Sequence, residues 1–322
     1  MHTYCICGLT IASNIPLPEL GPTTNFDAEC RFWLNPPAYP SERDIDWFHE
    51  WQIERTDEED SGEPWARFAR REDGYLVRFP SCADFSVSLD VSEVRCVPLP
   101  DVPEVTVRHL LLDQVLPLIL SRRERIVLHA SAVSTKSGVI AFAGRSGRGK
   151  STLAMAFAQQ ECALVSDDCL VLRRGERNWT ALPSYPGVRV WQSTADELAH
   201  DDANTADVAH YTDKRRIADL QGLPFAAGPE PLLALFVLAD EQPTISVQRL
   251  TAAKALMAWA EFAYNLDITD AAFLRAHFES VGQLAAEVPA HALYYPREFS
   301  SLEAVRVAIR NCLEEMNTND PE

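Results

Sequence analysis

Gly144–Thr152 reads GRSGRGKST, and the segments on either side of it decide the fold. The stretch fits G-x-x-x-x-G-K-[ST], the pattern of a loop that wraps the phosphates of a nucleoside triphosphate. Gly144, Gly147 and Gly149 let the backbone turn with no Cβ in the way, so the N–H groups of Arg145, Ser146 and Arg148 can aim at one anion. Lys150 adds a point charge for the β- and γ-phosphates, and the Ser151 hydroxyl, followed by Thr152, is placed to ligate Mg²⁺. Upstream, Val139–Ala143 (VIAFA) is a short apolar run ending in glycine, as a buried strand should. Downstream, Leu153, Ala156 and Phe157 recur at helical spacing in the Ala-rich TLAMAFAQQ. The order strand, glycine loop, helix points a helix N-terminus at the bound phosphates. A Gly/Ser-rich turn before an ordinary helix is the competing reading.

The bulk composition narrows the partners. The chain has 322 residues, 47% of them hydrophobic, enough for one large domain or two ordinary ones. Its net charge of −18 repels polyanions, which argues against nucleic acid and anionic membrane as partners. Eight cysteines are scattered with no C-x-x-C and no zinc-ligand spacing, and Cys5 and Cys7 read as small packed hydrophobes on an N-terminal strand. No signal peptide is visible, and the apolar run LLLDQVLPLIL is interrupted by Asp113, Gln114 and Pro117. A reducing cytoplasm is the expected location.

Residues 1–100 read as a β-rich domain suited to substrate or partner recognition, with strands at Arg31–Leu34, Trp65–Arg70, Tyr75–Phe79 and Phe85–Leu89. The acidic run Asp57–Asp60 reads as a hairpin tip, with metal binding as the alternative. Pro98, Pro100 and Pro103 mark a boundary, and residues 101–322 form the second domain, opening on a helix over 104–122. From Ile126 strands and helices alternate. Ile126–Ser134 and Val139–Ala143 form a hairpin, with further strands at Ala163–Ser166, Cys169–Arg173 and Leu232–Leu238. Helices are expected near 251–264, 270–286 and 300–315. This alternation makes the fold class α/β.

Asp167 and Asp168 end the strand ALVS, where α/β sheets bind ligands. Phosphoryl transfer needs one carboxylate for Mg²⁺ and another to orient or deprotonate the attacking hydroxyl, and adjacent residues on an extended segment point opposite ways. Asp-Asp can also simply open a turn or cap a neighbour. His129, on the hairpin strand, either reaches the acid pair or is a satisfied core residue. Lys214, Arg215 and Arg216 are candidates for contacting the transferred phosphate, with a solvated loop as the alternative.

On these residues the chain resembles the HPr kinase/phosphorylase superfamily. The segment LHASAVSTKSGVIAFAGRSGRGKSTLAMAFAQQECALVSDDCLVL (128–172) carries the family's histidine on a hairpin strand, its S-G-x-G-K-S loop and its strand-end Asp-Asp. GLTIASNIPLPEL (8–20), PSYPGVRVW (183–191) and KRR (214–216) resemble the branch that includes lasso-peptide precursor kinases. The resemblance implies a P-loop kinase core related to phosphoenolpyruvate carboxykinase, ATP and Mg²⁺ as cofactors, and assembly into homo-oligomers. It makes Lys150 the phosphate ligand, Ser151 and Asp168 the metal ligands, and Asp167 the general base toward a seryl hydroxyl with His129 beside it. The acceptor it implies is a peptide or small protein, most sharply a lasso-type precursor peptide. The L-E-I-R-G segment that follows the Asp pair in true HPr kinases has no counterpart here. HPr kinase/phosphorylase activity in carbon regulation is therefore the second reading, and a nucleotide-binding regulatory module the third.

Overall fold

The computed structural model describes all residues except 26, 35–44, 53–62, 124, 161, 177, 199–203, 220–223 and 319–322. The acidic run Asp57–Asp60 lies outside the described residues. The chain has a mixed α/β fold with several sheets and divides into two compact units. The first comprises Met1–Arg122, Asp207–Asp213 and Asn265–Ala271, and the second Arg123–Ala206, Lys214–Tyr264 and Ala272–Glu322.

The first unit is built on an eight-stranded sheet. Its spatial order is His2–Ile6, Leu9–Ser13, Cys30–Leu34, Glu93–Pro98, Ala83–Ser88, Gly74–Phe79, Ala66–Arg71 and Trp47–Trp51. Cys30–Leu34 runs parallel to both its neighbours and the other pairings are antiparallel. Phe85 and Val87 are buried and alternate with the half-buried Ser86 and Ser88, as in a strand with one dry face. Leu89, expected inside that strand, falls beyond it and is exposed. The turn before Gly74 requires glycine, because a Cβ there would come within 1.9 Å of the Val87 carbonyl oxygen. Cys5 is exposed and Cys7 sits past the strand end at φ 49°, so only Cys7 is the packed thiol expected of both. The helix expected over 104–122 runs as Glu104–Leu110 and Leu116–Ser121 joined by a π-helical turn, Leu111–Val115. Pro117 has no N–H to donate back to residue 113, which favours the wider turn there.

In the second unit the strand Gly138–Ala143 pairs antiparallel with Ala130–Thr135 and parallel with Glu230–Leu238. Ala290–Tyr294 continues the sheet parallel to Glu230–Leu238, and Ala163–Ser166 lies antiparallel to Ala130–Thr135. The strands Gly138–Ala143, Glu230–Leu238, Ala290–Tyr294 and Ala163–Ser166 therefore all point toward one edge. The sheet is covered on both faces. Ile140 and Phe142 pack with Leu153 and Phe157 of the helix Lys150–Ala158 and with Val305 and Ile309 of Leu302–Thr318. Val139, Ala141 and Ala143 pack with Trp259 of Ala252–Glu261 and with Val281 and Leu284 of Ala271–Glu287. Such two-sided burial explains why VIAFA reads as a continuous apolar run.

The expected single strand Ile126–Ser134 is broken at His129. Ile126–Leu128 pairs with Leu170–Arg174, whereas Ala130–Thr135 pairs with the loop strand. Between them the His129 N–H leaves both ladders and donates to the Phe262 carbonyl at 2.7 Å. A second, smaller sheet contains Val188–Trp191 antiparallel to Thr212–Asp219, with Trp191 opposite Lys214. Among the described residues no helix is long and apolar enough to cross a membrane.

Candidate functional site

The strand Gly138–Ala143 delivers the chain to the glycine loop at the common edge. Gly147 and Gly149 take left-handed φ of 77° and 96°, conformations that a side chain would strain. The Arg148 N–H donates to the Arg145 carbonyl at 3.3 Å, and the Gly149 carbonyl accepts from Leu153 at 2.9 Å to start the helix Lys150–Ala158. Lys150 is buried, with Nζ donating to the Gly144 carbonyl at 3.0 Å and more weakly to that of Arg145 at 3.4 Å. Burial lowers its pKa, and Asp168 works in the opposite direction.

The loop is also held from outside. Arg297 donates to the Arg148 carbonyl at 2.8 Å and to the Ala239 carbonyl at 2.6 Å, and its guanidinium lies 4.1 Å from the centre of the Tyr295 ring. Neither the position of Arg297 in the sequence nor its neighbours mark it as a clamp.

The two carboxylates of the acid pair have different surroundings. Asp167 is fully enclosed: Ser131 Oγ donates to its Oδ1 at 2.7 Å and the Arg189 N–H to its Oδ2 at 2.8 Å. Burial raises its pKa, as does Asp168, against the pull of Arg189. The segment is not extended at Asp168, whose φ of 64° turns its side chain into the cleft. Left-handed backbone is better tolerated by Asp than by most residues. Asp168 Oδ1 lies 3.7 Å from His129 Nε2 and Oδ2 lies 3.8 Å from Arg189 Nε. Burial alone would raise Asp168, but Lys214, His129, Arg189 and Lys150 outweigh it and hold the carboxyl well below its usual range. The pairing of His129 with Asp167 is thus corrected, because the histidine's neighbour is Asp168.

His129 also meets Tyr264, whose hydroxyl is 3.2 Å from Nδ1 and whose ring stacks on the imidazole. Burial among protein atoms, then Lys150, pushes the imidazole down to about 4, so it is neutral at physiological pH. The basic triplet does not act as one patch. Lys214 lines the cleft and lies over the Trp191 ring, Arg216 lies over Tyr185, and Arg215 reaches instead toward Thr205. Strand alternation separates them.

Arg189 was the main omission. It is buried and donates to the Asp167 carbonyl and the Tyr185 hydroxyl, each at 3.1 Å. The available signal was a charged residue inside the apolar strand VRVW, which demands a buried partner.

The glycine loop, Asp168, Arg189, Lys214 and Arg297 line a cleft with about 180 Å³ of free space, whereas Asp167, His129, Arg215 and Arg216 are not among its lining residues. It is lined by Ser146–Thr152, Asp168, Arg189–Trp191, Thr194, Lys214, Tyr295, Arg297–Phe299 and Leu302. Five lining residues are cationic (Arg148, Lys150, Arg189, Lys214 and Arg297) and two are carboxylates, in a chain of net charge −18. That local inversion of sign focuses an anionic ligand into the cleft. Arg145 and Gly144 belong to the loop but are not among the lining residues.

No family model matches the chain, and no curated protein matches it. Among solved structures it is similar to the Hpr(Ser) kinase/phosphatase from Coxiella burnetii. The identity is 11% and the TM-score 0.32, over 59% of this chain and 98% of that one. A likeness at that level carries no weight, and the functional assignment rests on the cleft.

Proposed function

We propose that the cleft binds the triphosphate of ATP with Mg²⁺ and that the chain transfers the terminal phosphoryl group to a serine hydroxyl of a peptide or small protein. The observation that carries this reading is the left-handed glycine loop opening a helix beside a cation-rich cleft that contains Asp168. The sequence resemblance to the HPr kinase superfamily, a P-loop kinase fold, agrees with it. The loop N–H groups and the helix N-terminus hold the phosphates, and Lys150 exchanges its loop carbonyls for phosphate oxygens.

The donor set suits Mg²⁺ carried in with the nucleotide. Ser151 and Asp168 line one cleft as hard oxygen donors, and among the described residues no cluster of three or more His, Cys, Asp or Glu could hold a metal unaided. Ser151 and Asp168 would hold the ion, which when bound offsets charge on the phosphate oxygens.

Asp168 would also meet the acceptor, so that both carboxylate jobs expected of the pair fall to it, because Asp167 is buried and does not line the cleft. The low proton affinity of Asp168 makes it a weak base, but a loose transition state needs the hydroxyl aimed more than deprotonated. The P–O bond to the leaving diphosphate breaks as the serine oxygen bonds to phosphorus, and the hydroxyl proton leaves late, toward Asp168. Lys214 and Arg189 offset negative charge on the moving group. Asp167 is a positioning residue that fixes the turn.

A lasso-type precursor peptide is the sharper acceptor, supported by the resemblance of 8–20 and 183–191 to that branch. The test is a mass spectrum of precursor peptides encoded beside the gene, and of HPr, after incubation with the protein, ATP and Mg²⁺. Phosphate on a peptide serine is expected, falling about 10²–10⁴-fold with Asp168→Asn. Phosphate on HPr alone would move the acceptor to carbon regulation. ATP binding with no transfer to any acceptor would reduce the chain to a regulatory module.

A further inference from the structure

We infer that the flank Tyr295–Leu302 is the nucleoside site, with the Phe299 ring stacking on the base. The inference rests on the triphosphate occupying the glycine loop. In spatial order the relevant strands are Ala163–Ser166, Ala130–Thr135, Gly138–Ala143, Glu230–Leu238 and Ala290–Tyr294. The loop leaves the middle strand. Asp168 follows the strand at one end, and Tyr295–Phe299 follow the strand at the other. Both flanks lie at the same edge: Ala143 is in register with Val237, and Val237 with Ala292. Four strand spacings, roughly 19 Å, separate the two outer strands. A nucleotide held at its phosphates by the loop, with its reacting end at Asp168, must run its nucleoside toward the opposite flank.

That flank has the chemistry of a base platform. Phe299 is 37% exposed and is an aromatic residue of the same cleft lining as Arg148 and Arg297. The other well-exposed ring of the cleft, Trp191, is on the acid flank and already lies beneath Lys214. Phe299 is also pre-positioned. It opens a single 3₁₀ turn, Phe299–Ser301, in which the Ser301 N–H donates to the Glu298 carbonyl at 3.0 Å and Ser301 Oγ to the Pro296 carbonyl at 2.8 Å. Arg297 locks the preceding residues to the glycine loop itself. An aromatic face on a rigid turn stacks a base without prior ordering.

The test compares a ligand that has a base with one that lacks it. Mg²⁺-ATP and Mg²⁺-triphosphate are titrated calorimetrically into the full chain, into Phe299→Ala and Phe299→Trp, and into Lys150→Ala. Phe299→Ala is expected to weaken ATP roughly tenfold while leaving triphosphate within about twofold, and Phe299→Trp to restore ATP. Equal loss of both ligands, or no loss of either, would overturn the assignment of Phe299. If Lys150→Ala weakens neither ligand, the triphosphate is not in the loop, and the nucleoside site falls with it.

Discussion

In the first unit, Arg78 and Asp84 face each other in a buried bidentate pair, both contacts 2.8 Å, on neighbouring strands of the sheet. In the second unit, Lys150 is as deeply buried but rests on backbone carbonyls, and Asp168 is shared among His129, Arg189, Lys214 and Lys150 at longer range. The first arrangement closes every charge locally. The second gathers an excess of cations around a space. A buried pair is expensive to break, whereas an unbalanced cluster is expensive to maintain and is relieved by an anion. On the proposed function, the same physical cost is structural in one unit and functional in the other.

The comparison can be broken most forcefully at Arg78. Arg78→Ala leaves Asp84 buried without its partner and should cost about 3–5 kcal/mol of stability in urea titration. Lys150→Ala should leave the urea midpoint unchanged or raise it, because it removes a buried cation whose desolvation outweighs the pull of Asp168 and Asp167. A harmless Arg78→Ala, or an equally damaging Lys150→Ala, would erase the distinction.

Next in size, Lys214→Ala should weaken ATP binding about tenfold and Arg215→Ala by no more than about twofold, since only Lys214 faces the cleft. Equal losses would mean that the triplet acts as one diffuse patch after all.

The smallest expected effect is the pH response of His129. Its folded pKa, about 4, lies below the ordinary value of 6.5. The neutral ring therefore contributes its full stability above pH 6.5, and that contribution is lost as pH falls from 6.5 through 4. The side chain is 36% exposed, so solvent damps the slope. His129→Gln should flatten the stability profile across this window, and an unchanged slope would show that the imidazole does not titrate there.

What could be read from the sequence follows the range of the interactions. The glycine loop was legible because its requirements are local: left-handed turns at Gly147 and Gly149, an apolar strand before and a helix after. The helices expected near 251–264, 270–286 and 300–315 stand at Ala252–Glu261, Ala271–Glu287 and Leu302–Thr318, because their apolar spacing is also local. The different surroundings of Asp167 and Asp168 were not legible. They depend on one left-handed residue and on Arg189, which arrives from 22 positions along the chain. The break at His129 was hidden for the same reason, since two different strands and the Phe262 carbonyl decide it. Phe299 and Arg297 reach the cleft only because a strand pairs in register with a partner more than fifty residues earlier.

The central claim is that the cation-rich cleft holds a nucleoside triphosphate, and calorimetric titration of Mg²⁺-ATP into the wild-type chain and Lys150→Ala tests it most directly. Saturable binding to the wild type, weakened at least about tenfold by the substitution, is the predicted result. Equal affinity in the two proteins would contradict it.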